Sequence, residues 1–365
     1  MKRLIFYTYP LSALTFGLWQ VTLICIYFSK FTFSRGKVSL VSLFWVCILG
    51  MVFIAQVYFS PQYPVELLSN VVNVELRSHG TIGIYYTDGS IRIDMLAKFF
   101  VYIFIALFIS SSFTSKDELI DFLFKLFCTI AMVSMVFLVI LQVDSSYEIF
   151  KFLSRQDVGV GNYLVKDEFG YRISAGFAEP SVMSVVAGTC AGLIFAKLEW
   201  KKRIVISLSL IFLFFVSRSL AIIIVFTLIY LILNHYRLFL IGMTIFMVLL
   251  TIVTTGFLFD SAFSFLFRSA NERLFLPQGD FGYINVLFGV DFGQVYAFIP
   301  IVNHVLQFGV VGLVAFYFIF KFDVKLFLIY LVISFVSPQF WFPTQWICLG
   351  FAMAYKRLFV DFRSN

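Results

Sequence analysis

RIVISLSLIFLFFVSRSLAIIIVFTLIYLILN, residues 203–234, is a long apolar run interrupted by Ser217-Arg218-Ser219. As one continuous helix it would be about 48 Å long at 1.5 Å per residue, against about 30 Å for the hydrocarbon core of a bilayer. Two short antiparallel helices meeting at the Ser-Arg-Ser step fit that thickness. The same pairing keeps the cations at 201–203 and Arg237 on one side. Arg218 then stands at the apex of a hairpin, at or below the membrane surface. An arginine there costs a few kcal/mol unless it faces a polar cavity or partner.

The remainder of the chain reads in the same terms. Of 365 residues, 61% are hydrophobic and 13% charged, where a soluble domain is about 45–50% apolar. The 50 Phe residues are read as lipid-facing bulk. Apolar spans are expected near 5–28, 38–59, 93–113, 119–143, 181–198, 203–217, 219–234, 238–259, 305–322, 326–337 and 341–355. The expected fold is all-α: a polytopic membrane protein of about 11 transmembrane helices (10–12), forming a single domain over 1–365. The basic start and long apolar stretch at 5–28 are read as a retained span rather than a cleaved signal.

Three polar stretches are long: 60–92, 144–180 and 260–304. The short connectors are basic, as in EWKKR (199–203), SKFTFSRGK (29–37) and YKRLFVDFR (355–363). Holding these inside puts the long stretches outside. An odd number of spans with an inside C-terminus leaves Lys2 and Arg3 outside, so the orientation of the N-terminus stays open. The net charge of +7 is thus topological, and no basic domain remains to bind nucleic acid. The five cysteines all lie in apolar runs and form no CxxC pair, which argues against a disulfide framework or a thiolate metal site.

No HExxH, no paired-Cys spacing and no Asp-x-Asp pair is present, so no metal site is expected. No P-loop or GxGxxG unit offers a nucleotide site, and no cofactor is expected. The remaining pattern is arginine in the outer loops. Segment 144–180 holds Arg155 and Arg172, and segment 260–304 holds Arg268 and Arg273. Arginine's planar fork suits phosphate and diphosphate oxygens. Taken singly, each loop arginine is more readily explained by pairing with Asp157, Asp167, Glu168, Glu272 or Asp280, or with lipid head groups. Glu179 precedes Pro180-Ser181, a favourable helix start, and is read equally as a helix-start anion or as a general base for a sugar hydroxyl. His304 stands where an apolar span begins. It is read as a capping group, or as an outward imidazole in contact with substrate. Gly309 and Gly312 suggest close helix packing.

Three stretches together resemble the O-antigen polymerase and O-antigen ligase superfamily of bacterial inner-membrane proteins. RISAGFAEPS (172–181) is similar to an Arg-x-x-Gly-Phe-x-Glu-Pro-Ser step that precedes a span. FFVSRSLAIIIVF (214–226) is similar to a Ser-Arg step at a hairpin apex. NVLFGVDFGQ (285–294) with NHVLQFGVVGLVAFYF (303–318) is similar to the segment after the last large outer loop. The resemblance implies a metal-independent glycosyltransferase of the membrane type. Donor and acceptor would both be undecaprenyl-diphosphate-linked oligosaccharides at the periplasmic face, and the setting the inner membrane and its lipids. A protein that sets chain length is a partner expected from the resemblance alone. Arg172, Arg218, Arg273, Arg268 and Arg155 would bind diphosphate or glycan, and Glu179 and His304 would be catalytic. In the ligases a histidine lies about three helical turns before the Gly-x-x-Gly, whereas His304 is five residues before Gly309. That departure favours repeat-unit polymerisation. The alternatives are a ligase transferring glycan to lipid A-core and a flippase of the same lipid-linked oligosaccharides.

Overall fold

The structure, a computed structural model, describes residues 44–52, 92–143, 164–167, 170–175, 177, 180–254, 283–289, 300–336 and 343–359. These are helical apart from one two-stranded hairpin and the connections. In chain order the helices are α1 (44–52), α2 (Arg92–Ser112), α3 (Lys116–Val143), α4 (Pro180–Ile194), α5 (Trp200–Ser217), α6 (Ala221–Asn234), α7 (Tyr236–Thr254), α8 (Tyr283–Phe288), α9 (Pro300–Phe320), α10 (Val324–Val336) and α11 (Pro343–Phe359). The expected span near 5–28 lies outside the described residues; every other one overlaps a described helix. Lys116–Val143 and Pro180–Lys197 are long and apolar enough to cross a membrane.

Two stretches expected as loops contain structure. Leu164–Asp167 (β1) and Gly170–Ile173 (β2) pair antiparallel, with Val165 opposite Arg172 and Leu164 opposite Ile173. The polar stretch 260–304 holds α8, and α9 begins at Pro300 rather than at 305. Proline's fixed φ and missing N–H suit a first helical turn.

The described residues form two compact units. The first draws on 101–241 and 324–365. Its centre is α4, whose sequence PSVMSVVAGTCAGLI carries no charge and no large polar group. A helix apolar on all sides belongs inside, and Val182–Ile194 are buried without exception. The apolar window of 180–197 is 78% buried, against 33% for that of 116–143, so α4 is central and α3 peripheral. The helices α3, α6, α10 and α11 pack around α4, with α6 the most extensive neighbour.

The α4–α6 contact rests on Gly188 and Gly192. A methyl on Gly188 would stand 2.9 Å from Val225 Cβ, and one on Gly192 2.9 Å from Ile229 Cβ. Two glycines four apart bring backbones together in this way. The Gln345 side-chain amide on α11 donates to Tyr330 Oη (3.1 Å) and Ser334 Oγ (2.7 Å) on α10. That buried network ties the two helices.

Large apolar side chains face outward on α3, α5 and α7: Met132, Val136 and Val139; Leu208, Ile211 and Phe215; Leu238 and Ile241. Their number fits a lipid surround better than water.

The second unit draws on 38–100 and 242–323. Here Trp45 stacks on Phe318 with ring centroids 4.5 Å apart. Helix α9 is broken at Gly309, whose φ of 64° and ψ of −177° lie in a region essentially restricted to glycine. A methyl there would overlap the Leu287 carbonyl oxygen and the Gly289 nitrogen. The expected Gly309–Gly312 packing face is therefore corrected: Gly309 admits a neighbouring backbone at a helix break, while a methyl on Gly312 would meet Phe308 of its own helix.

Candidate functional site at one end of the first unit

The break at 217–219 falls where helix length requires one. Ser217 closes α5: its hydroxyl donates to the Leu213 carbonyl (2.6 Å) and accepts from the Ser219 N–H (3.3 Å). Both serines are buried. Between them Arg218 is exposed and left-handed, at φ 48° and ψ 37°. That conformation is usual for glycine after a helix and costs other residues roughly 1–2 kcal/mol. The two serines thus hold an arginine outward in a backbone state it does not prefer.

Arg172 reaches the same end by a different route. Successive strand residues point to opposite faces. Ile173 points inward and is 1% exposed, forming a small core with Phe137 of α3 against which Val133, Leu141 and Val216 pack. Val216 lies two residues before Arg218, so the β-hairpin docks on the end of α5 that carries the apex. Arg172 takes the other face of the strand; it is half-buried, with its Nε buried.

The chain then turns sharply. The Phe177 N–H donates to the Ser174 carbonyl (2.9 Å) and the Ser174 hydroxyl to the Phe177 carbonyl (2.7 Å). Ala175 inside this turn has φ 51°. Among the described residues three non-glycines have positive φ, and two of them, Ala175 and Arg218, lie at this end of the unit. Strained backbone of this kind concentrates at functional sites.

The opposite end is basic. Lys116 and Lys197 both lie over the Phe359 ring, at 5.3 and 5.7 Å from its centroid. Lys202 lies over Phe124 (5.6 Å) and Lys325 over Tyr236 (5.8 Å). Arg203 donates to the Leu198 and Ala196 carbonyls, and Arg357 to that of Phe113. These contacts gather the starts of α3, α5 and α10 with the ends of α4, α6 and α11 at one end, and leave Arg172 and Arg218 at the other.

Of the residues expected from sequence, the structure therefore brings Arg172 and Arg218 to one end of one unit. Glu179, Arg155, Arg268 and Arg273 lie outside the described residues. His304 is in the second turn of α9, so it is within a helix rather than at its entrance. The expectation of a helix starting at Pro180 holds. Sequence reasoning missed the Ser217 lock and the Ile173 anchor. The spacing of Ser217 and Ser219 around Arg218 was a usable signal for the first. Among the described residues no group of three or more His, Cys, Asp or Glu side chains is placed to hold a metal ion.

Comparison with family models, with curated proteins and with solved structures finds no match to this chain.

Proposed function

We propose that this protein polymerises undecaprenyl-diphosphate-linked oligosaccharide repeat units at the periplasmic face of the bacterial inner membrane. The observation that carries the reading is the shared location of Arg172 and Arg218, with Arg218 held outward by Ser217 and Ser219. The contrast between the two ends of the first unit supports the orientation: the lysine-rich end suits the cytoplasmic side. Helix α6 has 14 residues and so spans about 21 Å, short of a core of about 30 Å. With its basic end at the cytoplasmic boundary, Arg218 falls at or below the outer one, within reach of a lipid-borne diphosphate.

The chemistry follows from charge. The glycosidic bond to the donor's diphosphate breaks, and the diphosphate leaves with growing negative charge. Arg218 and Arg172 stabilise that charge. The acceptor's sugar hydroxyl attacks the anomeric carbon and gives up its proton, with Glu179 as the base. The growing glycan passes to the new unit, and the carrier diphosphate is released. A deletion strain tests the assignment by its surface glycan. Core bearing one repeat unit is the expected result. Bare core with accumulated polymer would point to a ligase, and single units retained in the cytoplasm to a flippase; either would overturn the reading.

A further inference from the structure

We infer that the basic end of the first unit is a docking surface for anionic phospholipid head groups. The inference rests on the membrane placement proposed above and is independent of the chemistry at the other end. The cations come from separate segments brought together by the fold: Lys116 at the start of α3, Lys197, Lys201, Lys202 and Arg203 around the start of α5, and Lys356 near the end of α11. Lys197, Lys201, Lys202 and Arg203 are exposed.

Nearby carboxylates are partly committed elsewhere. Glu118 accepts from the Thr114 N–H (2.9 Å) and hydroxyl (2.8 Å), and Asp121 pairs with Lys125 at 2.7 Å. Glu199, Asp117 and Asp323, the last beside the start of α10, are the other described acids of this end, and the six cations named, with Lys325 and Arg357 beyond them, outnumber the five. Positive charge therefore exceeds negative charge among the described side chains of this surface.

A second feature sets the depth of this surface. Trp200 is 66% exposed and sits directly beside Lys201 and Lys202. Exposed Ile204, Val205 and Leu208 follow on the same helix. Tryptophan favours the head-group level, with lysines reaching outward from it and apolar residues below. That order along one helix places Lys201 and Lys202 at the height of lipid phosphates. Lys197 and Lys202 are steadied by their aromatic rings at the rim of the bundle. Polybasic surfaces of this kind select anionic over zwitterionic lipid.

The test uses the full chain, purified and exchanged into an equimolar mixture of phosphatidylglycerol and phosphatidylcholine, with retained lipid counted by native mass spectrometry. The wild type should retain phosphatidylglycerol preferentially. Lys201→Gln should lower that preference about five-fold, and the triple Lys197→Gln, Lys201→Gln, Lys202→Gln on the order of a hundred-fold. The corresponding triple arginine variant should keep it. Should the glutamine triple fail to fold, the wild type supplies the test: raising salt from about 0.1 to 1 M shortens the screening length from about 10 to 3 Å and should abolish the preference. Equal retention of both lipids by the wild type, or a preference indifferent to salt and to the glutamine changes, would overturn the inference. Displacement of the lipid by millimolar inorganic phosphate at constant ionic strength would assign the surface to free phosphate and also overturn it. A chain that does not enter bilayers would overturn the membrane placement itself, and this inference with it.

Discussion

Arg218 is the residue at which structure and proposed chemistry are most closely joined. Its left-handed backbone is a liability for every residue type except glycine, and to a lesser extent asparagine. Replacing it with glycine removes that cost together with the guanidinium. Arg218→Gly should therefore keep thermal stability within about 1 kcal/mol of the wild type, relief of the left-handed backbone offsetting glycine's greater freedom in the unfolded chain, measured by thermal unfolding of the purified protein. A fall in stability of that size or more would mean that the arginine serves the fold rather than a ligand. Ser217→Ala separates the same question from the other side. It deprives the buried Ser219 N–H of its side-chain acceptor and should cost about 1–3 kcal/mol, with chain-length distribution disturbed because the apex is no longer fixed. Wild-type stability in Ser217→Ala would count against the lock.

At the scale of elements, the contact between α4 and α6 positions that apex. Its closeness depends on Gly188 and Gly192. Gly188→Ala should destabilise by about 1–3 kcal/mol through overpacking, measured by thermal unfolding, because the new methyl would stand 2.9 Å from Val225 Cβ and 3.0 Å from the Ile222 carbonyl oxygen. Wild-type stability in Gly188→Ala would show that the two helices do not meet at these residues. Gly309→Ala should be worse, since backbone atoms oppose the methyl and the φ is unfavourable.

Much of this layer was legible beforehand. Helix positions follow from apolar lengths, and the α5–α6 break from comparing 32 residues with a bilayer. The β-hairpin was not legible, because strands of four residues give too few alternations to distinguish from a loop. The Gly188–Gly192 spacing was present in the sequence, yet helix packing was attached to Gly309, where the chain breaks. A single glycine's spacing does not tell packing from a left-handed backbone.

For the whole molecule, the claim is that basic and arginine-bearing ends face opposite sides of a membrane. That Arg172 and Arg218 belong together is expected from the resemblance alone; the contacts that bring them to one end, Ile173 with Phe137 and Val216, are made at long separation and could not be read from sequence. The sidedness can be checked in cells with an impermeant thiol reagent, in a chain whose native cysteines are replaced. Cysteine at 218 should label in cells with a permeabilised outer membrane, and cysteine at 201 only after the inner membrane is opened. Labelling of both from one side would refute the arrangement.

The central claim is that Arg218 stabilises the departing diphosphate, and one measurement addresses it directly. Purified wild-type and Arg218→Gly proteins are placed in vesicles, given undecaprenyl-diphosphate-linked repeat units, and followed for glycan length on a gel. Loss of one preorganised charge-stabilising group costs about a hundred- to a thousand-fold in rate. The wild type should produce a ladder of lengths, while Arg218→Gly, equally stable, should slow by about that factor. A ladder formed by Arg218→Gly at the wild-type rate would contradict the account.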